Sequence, residues 1–488
     1  MTQKRSIIVC QDVTGGERVE CCTRDSIILP LRELESMSMY KHDSCQDEYQ
    51  VSLMYQKERR YRMKYSMDTY RLYADEKIFR HSVRVKVLMK AKVDLIVLQH
   101  AVNVAIRRYP YFAVEVTLGD DGGYDLIPNK REIVVMETPE ELPGLGSDEV
   151  NRHLLYVDCK GHVIYFNISH SLCGGRGLMP WVMTSVYQYV VEKYNVVPDA
   201  PAIRKPDSGL LEGETTEPSL EMLSDEPPAY QHISKKPVVM LWDYLNGMYN
   251  PLIRNPNYYQ FSFKQSEIVA FAKENNASVA AFFLITMAMA LDRVLPKKHK
   301  VIGGETAHFP GADIGLPDSH CDLLTHAYID YEREYLHGSL KELGTMTRKE
   351  IDLQIDPSVS NDLLRKLFSF WEQLDDISGL KNKRAYYAKV KPFSGKDAKH
   401  GTFISNYTGR MDWGEVAKYV DSYYILVDGH LLLEVTSMAD KIFLSFMQLI
   451  KETKYVNAYC QVLNEMGISY KKRGPFRNIR PKHKLPTP

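Results

Sequence analysis

Of the 15 histidines in this chain of 488 residues, His170 stands where an imidazole can be presented to a reactant. It follows an alternating apolar run, His162 to Ile168, and precedes Ser171-Leu172-Cys173-Gly174-Gly175-Arg176-Gly177, a set of small residues leading into a helical pattern. A side chain at the end of a strand is held by a rigid element rather than a loose loop. A neutral ring nitrogen there can take the proton from a hydroxyl or amine as that group attacks a carbonyl, a contribution of about 10²- to 10⁴-fold. The alternative is a buried, hydrogen-bonded histidine with a structural role only, and the two are told apart by whether the ring lines a cleft. Cys173, three residues on, invites a Cys-His nucleophile reading. A Cys behind such a loop reads more simply as a buried small hydrophobe. No G-x-S-x-G turn offers a serine nucleophile instead.

The elements that must hold this histidine are legible in part. Val83, Val85, Val87 and Met89 alternate with Arg84, Lys86 and Leu88, as in a half-buried strand. Leu95, Leu98, Val102, Ala105, Ile106 and Tyr109 recur at helical spacing behind Asp94, an N-cap residue, and Pro110 ends the run before a strand from Tyr111 to Thr117. Strands are expected at Leu154 to Asp158 and His162 to Ile168. A long helix is expected from Leu178 to Tyr194, with Pro180 in its first turn where no backbone donor is needed.

In the second half, a strand is expected at Tyr258 to Phe263 and a short helix near Ser266. A helix follows from Val279 to Leu295, capped by Ser278 and stopped by Pro296. That helix is apolar nearly all round, so it belongs inside a second core. Phe403 to Asn406, Tyr423 to Val427, His430 to Val435 and Ile442 to Met447 read as strands, with Asp428-Gly429 suited to a tight hairpin between the middle two. A last helix, Lys454 to Met466, ends at Gly467, which can adopt the left-handed C-terminal cap.

Length alone argues for two domains of roughly 200 residues each. Residues 207–236 divide them: seven acidic residues, among them Glu212, Glu214 and Glu217, lie among prolines with no Lys or Arg before Ile233, which is linker composition. The expected layout is an N-terminal extension at 1–65, a first domain at 66–206, the linker at 207–236, a second domain at 237–470 and a basic tail at 471–488. The tail carries Lys471, Lys472, Arg473, Arg477, Arg480, Lys482 and Lys484 without an acidic residue. It could meet phosphates, an acidic protein or RNA, or stay a solvated, disordered segment.

Lys plus Arg and Asp plus Glu are each 62, so the net charge is zero, which argues against a globally basic nucleic-acid binder. No apolar run approaches the ~20 residues that span a bilayer, and a cytoplasmic location is expected. Eight cysteines lack a disulfide framework. Cys10, Cys21, Cys22 and Cys45 lack the paired spacing of a zinc knuckle, so free thiols and no metal site are expected.

Ser169-His170-Ser171-Leu172-Cys173-Gly174-Gly175 resembles the HHxxxDG motif of the superfamily that contains chloramphenicol acetyltransferases, non-ribosomal peptide condensation domains and alcohol acetyltransferases. Val93-Asp94-Leu95 through Arg108-Tyr109-Pro110-Tyr111-Phe112 is similar to the first helix and following strand of these proteins. Ser405-Asn406-Tyr407-Thr408-Gly409 resembles their SN-x-G strand segment, and Leu431 to Gly467 their closing strands and helix. The likeness spans residues 66 to 470. It implies an α+β fold of two chloramphenicol-acetyltransferase-like sandwich domains packed around a central tunnel. It also implies transfer of an acyl group from a thioester to a hydroxyl or amine, without a covalent enzyme intermediate.

By the same resemblance His170 is the general base, Ser405, Asn406 and Tyr407 lie on the oxyanion or acceptor side, and no cofactor is bound. The donor would be acyl-CoA, or the phosphopantetheine of a carrier protein if the chain is a free-standing condensation-type domain. The motif departs from the family at two positions: its first histidine is Ser169, and its aspartate, usually assigned a loop-holding salt bridge, is Gly174. Gly175 matches. The second departure motivates a third possibility, a catalytically degenerate binding or recruiting module of the same fold.

Overall fold

The structure, a computed structural model, describes residues 67, 69–74, 80–232, 254–298, 300–390 and 401–487, together with three strands between residues 7 and 30. Those strands, β1 (Ile7–Gln11), β2 (Glu17–Cys21) and β3 (Ile28–Pro30), form an antiparallel sheet of their own within a unit covering Met1–Glu58. The side chains of Cys10, Cys21, Cys22 and Cys45 lie outside the described residues. The other unit, Arg59–Pro488, carries everything that follows.

Valine at every second position makes Ser82–Met89 the strand β4, and behind it Asp94 caps α1 (Leu95–Ala105) by accepting from the amides of Ile96 and Val97. The expected strand at Tyr111 is displaced: Pro110–Phe112 is a single 3₁₀ turn, and β5 (Val114–Leu118) begins after it. Next come β6 (Tyr124–Pro128), β7 (Val135–Glu137), β8 (Leu155–Lys160), β9 (Val163–Ser169) and the long helix α2 (Gly175–Tyr194).

The C-terminal half opens with β10 (Arg254–Lys264), α3 (Gln265–Glu274) and α4 (Val279–Val294), the last capped by Ser278 as the sequence indicates. After β11 (Val301–His308) and β12 (Thr325–Glu332) come three helices without a counterpart in the sequence reading, α5 (Leu340–Gln354), α6 (Pro357–Asp375) and α7 (Leu380–Val390). The remainder is β13 (Phe403–Arg410), β14 (Val420–Leu426), β15 (Leu431–Met438), β16 (Lys441–Ile450), α8 (Lys454–Glu465) and β17 (Lys471–Arg477). Gly467 has φ +70°, the left-handed value expected of it.

Two sheets organise these elements. The first has the order β14-β4-β9-β8-β7, and the second β12-β11-β13-β15-β16-β10-β17. β14 comes from the C-terminal half of the chain yet pairs antiparallel with β4, residue Tyr423 against Val87. β14 and β15 therefore belong to different sheets, and Asp428-Gly429 is a crossover rather than the tight hairpin its sequence suggests. The carboxylate of Asp428 explains the difference. It accepts from the Arg80 amide at 2.7 Å and pairs with Arg480 at 2.5 Å, contacts with residues from both ends of the lobe.

β4 is also covered on both faces, not one. Arg84 is 5% exposed and forms a two-pronged ion pair with Asp158 at 2.8 and 2.9 Å, which satisfies a charge that the alternating pattern assigned to solvent. The 471–488 segment is equally ordered where it is described. β17 adds to the edge of the second sheet beside β10, and the chain then runs back along the first lobe. There the Arg480 guanidinium donates to the carbonyls of Arg80 and Ser82, the Ser82 hydroxyl to the Pro481 carbonyl, and the Leu145 amide to the Lys482 carbonyl. A local charge count sees only a solvated run; the partners are hundreds of residues away.

One residue of the acidic stretch after Asp207 is built into the core, while Asp207, Glu212, Glu221, Asp225 and Glu226 are exposed. Glu214 is fully buried. Both of its oxygens accept from the Arg108 guanidinium at 2.7 and 2.9 Å, and further hydrogen bonds come from Tyr111, Arg204 and the Leu211 amide. Among the described residues no single helix is long and apolar enough to cross a membrane.

Candidate active site

The pairing of β4 with β9 sets Ser82 opposite Ser169, and the His170 amide donates to the His81 carbonyl at 2.8 Å, so the histidine leaves the sheet in a fixed direction. The chain turns through 171–174 and enters α2 at Gly175. Within this turn the His170 Nδ1 lies 3.0 Å from the Cys173 carbonyl oxygen. A carbonyl only accepts, so Nδ1 carries the proton and Nε2 carries the lone pair. Cys173 is buried and contributes this carbonyl rather than a nucleophile.

The histidine side chain keeps 20% of its surface exposed, and the groups around it are polar and charged. Asp322, from the segment before β12, places Oδ2 3.7 Å from Nδ1. The same oxygen accepts from the Tyr70 hydroxyl at 2.9 Å and from Arg71 Nε at 2.6 Å, with a second Arg71 nitrogen in ion-pair contact. Burial, and then the nearby Arg71 charge, hold the His170 imidazole below its ordinary pKa, while Asp322 opposes the shift. Burial and the same arginine also depress His81. Burial works against a charged Asp322, but the Arg71 charge and the hydrogen bonds from Arg71 and Tyr70 keep the carboxyl below the usual range. The result is a neutral base beside a neutralised ion pair.

Ser169, at the motif's first histidine position, is fully buried, and an imidazole reaches it nonetheless. His483 Nε2 lies 2.7 Å from the Ser169 hydroxyl, which also bonds the Ser171 hydroxyl at 2.7 Å. Gly174 faces Asp322. Gly177, the last of the small residues after His170, is a site of close approach: a Cβ there would lie 2.4 Å from the His320 carbonyl oxygen. Gly175 has open space where its Cβ would be. Tyr70, Arg71, His81, Asp322 and His483 were not found by sequence reasoning. They come from four separate stretches of the chain, and only Ser319-His320-Cys321-Asp322 carries a local signal, a cluster of reactive residue types next to a strand.

A cavity of about 420 Å³ opens at the start of α2, walled by Arg176 and Gly177, by Arg204, by Ser319 and His320, and by Arg410 at the end of β13; His170 is not among its lining residues. His320 is fixed there by its Nδ1, 2.9 Å from the Glu214 carbonyl, and by stacking on Tyr111 with ring centres 4.2 Å apart.

The β13 residues expected on the oxyanion or acceptor side stand in the second sheet. Asn406 accepts from the Ala307 amide at 3.0 Å and donates to Glu434 at 2.7 Å, so its amide ties three strands together. Tyr407 bonds Ser437 at 3.3 Å, and Ser405 is 2% exposed. The hydrogen bonds of these side chains stay within the second sheet.

Glu434 is itself a titrating group. It is 7% exposed, and burial, opposed by the Asn406 hydrogen bond, pushes its carboxyl from 4.5 up to about 7. The folded chain then binds a proton that the unfolded chain releases across this window. Stability contributed by the neutral acid is full below the unfolded value and falls as pH rises towards 7, by up to about 3 kcal/mol. Glu434→Gln should flatten the decline in urea-unfolding free energy between pH 5 and 8. A variant with the wild-type slope would show that another group carries it.

No family model matches the sequence, and no curated protein is similar to it. Solved structures are. TRI101 of F. sporotrichioides, crystallised with coenzyme A and T-2, shares 10% identity over 83% of this chain and 98% of its own, with a TM-score of 0.51. TRI101 of F. graminearum with coenzyme A and T-2 mycotoxin matches 81% of this chain and 97% of its own at 10% identity and a TM-score of 0.50. The same F. graminearum protein with coenzyme A and deoxynivalenol gives 82%, 97%, 10% and 0.50. At this identity the match shows the fold alone: the chain shares the α+β architecture of these TRI101 structures, the fold class that the sequence resemblance implied.

Proposed function

We propose that this chain is an acyltransferase that moves an acyl group from a thioester, acyl-CoA by preference, to a hydroxyl or amine, with His170 as general base. The observation that carries the reading is the hydrogen bond from His170 Nδ1 to the Cys173 carbonyl, which leaves Nε2 basic on a part-exposed ring held neutral by its surroundings. In the reaction, Nε2 takes the acceptor's proton as the acceptor oxygen or nitrogen bonds to the thioester carbonyl carbon. The tetrahedral adduct then expels the thiolate, which recovers the proton from Nε2. No bond to the enzyme forms. The fold shared with proteins crystallised with coenzyme A supports this donor, and the cavity beside α2, with Arg176 and Arg410 in its wall, is a chamber suited to one of the two substrates. The free cysteines among the described residues, Cys159, Cys173, Cys321 and Cys460, fit a cytoplasmic setting.

The expected result of a thiol-release screen over acyl-CoA chain lengths, each with mixed alcohol and amine acceptors, is acceptor-dependent release with at least one donor. Release only from acyl groups on a carrier protein would move the donor assignment to the condensation type. Release from neither would leave the fold as a binding or recruiting module.

A further inference from the structure

The reacting loop lacks an acidic side chain at residue 174, yet a carboxylate lies against that residue. Asp322 Oδ1 is 3.1 Å from the point a Cβ on Gly174 would occupy, so any side chain at 174 presses on it. The glycine is not there for backbone freedom: its φ of −78° and ψ of 176° suit any residue. What it provides is room. Asp322 is 5% exposed, and its Oδ1, the oxygen facing Gly174, is buried without a hydrogen-bond partner among the described residues. Its Oδ2 is bound by Tyr70 and Arg71 and stands 3.7 Å from His170 Nδ1. The carboxylate is thus clamped on one side and aimed at the loop on the other.

We propose that Asp322 is the positioning residue of this site, a carboxylate delivered from the segment before β12 into the space that Gly174 leaves open, where it holds the loop and the protonated Nδ1 edge of His170. The absent acid at 174 and the glycine are then one arrangement, and the loop is held from a distance rather than loosened. This inference rests on the acyl-transfer reading for its rates but not for its geometry. The segment that carries Asp322 is anchored independently through His320 and Glu214, so the carboxylate arrives on a fixed support.

The test is a relocation. Asp322→Gly should lower kcat by about 10²-fold, the loss expected when a reacting group is displaced by about 1 Å, with KM little changed. Gly174→Asp alone should also lose rate, because two carboxylates then compete for one space beside Arg71. The double variant G174D/D322G should recover most of the rate, since the acid then reaches the same place from residue 174. Recovery is a result that a merely structural Asp322 would not produce. Asp322→Asn, which keeps the volume and an acceptor for Tyr70 and Arg71, guards against a glycine variant that fails to fold, and should lose rate while still unfolding cooperatively, with a midpoint lowered by the lost Arg71 ion pair.

Losses that simply add in the double variant, with unfolding midpoints unchanged, would overturn the proposal. If the wild-type chain shows no turnover, the acyl-transfer reading fails and the ring itself decides this one. The Cys173 carbonyl keeps the proton on Nδ1 in every variant, so the readout is the ring's titration: by nitrogen-15 shifts the His170 pKa should fall in Asp322→Gly, which loses a carboxylate 3.7 Å from Nδ1, and return in the double variant. An identical titration in all three would sink the positioning role.

Discussion

Replacing His170 with alanine should lower the rate of acyl transfer by about 10²- to 10⁴-fold, the range that a positioned general base contributes. The fold should survive the change. The imidazole is part-exposed, and its charged neighbours remain satisfied without it, since Asp322 keeps Tyr70 and Arg71. An unfolding midpoint close to wild type would therefore accompany the lost rate. The pH profile carries a second signature. Burial and the Arg71 charge hold the imidazole below its ordinary value, with Asp322 opposing. Wild-type kcat/KM should then be level through neutral pH and decline only on the acid side of the ordinary imidazole range of about 6.5. His170→Ala should lose that acid limb. A variant with the wild-type rate at saturating donor would remove the ring from the mechanism.

A stability effect of comparable size is expected at Glu214. Removing one partner of a buried, hydrogen-bonded ion pair leaves the other charge uncompensated, which costs about 3–5 kcal/mol. Glu214→Ala strands Arg108, which is 2% exposed, and withdraws an acceptor from Tyr111, Arg204 and the Leu211 amide. Burial disfavours the Glu214 charge, but the hydrogen bonds from Arg108 and Tyr111 outweigh it and depress the carboxyl. Its stabilisation is accordingly full above the unfolded carboxyl value of about 4.3 and lost as pH falls through the folded one. Urea unfolding at neutral pH should show the full deficit for Glu214→Ala and a smaller one for Glu214→Gln, which keeps part of the hydrogen bonding. A shift below about 1 kcal/mol for the alanine variant would mean that the network relaxes onto solvent.

What could be read from the sequence divides along a physical line. Interactions settled within a few residues were legible: the Asp94 and Ser278 caps, the Gly467 terminus, the alternating valines of β4 and the strand-histidine-glycine passage that ends β9. Interactions settled by topology were not. Asp428-Gly429 has the composition of a turn, but buried Arg480 makes it a crossover. Glu214 lies in linker-like composition, but Arg108 makes it a core residue. Ser169 and Gly174 were visible as departures from the motif, whereas His483 and Asp322, which stand against them, come from segments 314 and 148 positions away in the chain. No spacing rule links residues so placed; only the packing of the folded chain does.

The crossover of β14 also bears on how the molecule is made. A nascent chain emerges in order, so β4, β8 and β9 are available long before the strand that pairs with the outer side of β4. The Arg480 guanidinium that donates to the Ser82 carbonyl lies 398 positions beyond it. During synthesis the early lobe therefore presents a bare strand edge, a template for pairing with other chains. The last hydrogen bonds around the histidine turn close only when the distal part of the polypeptide has left the ribosome. Maturation of the site should consequently lag behind collapse of the lobe, and cellular yield should depend on chaperones that shield that edge in the interval.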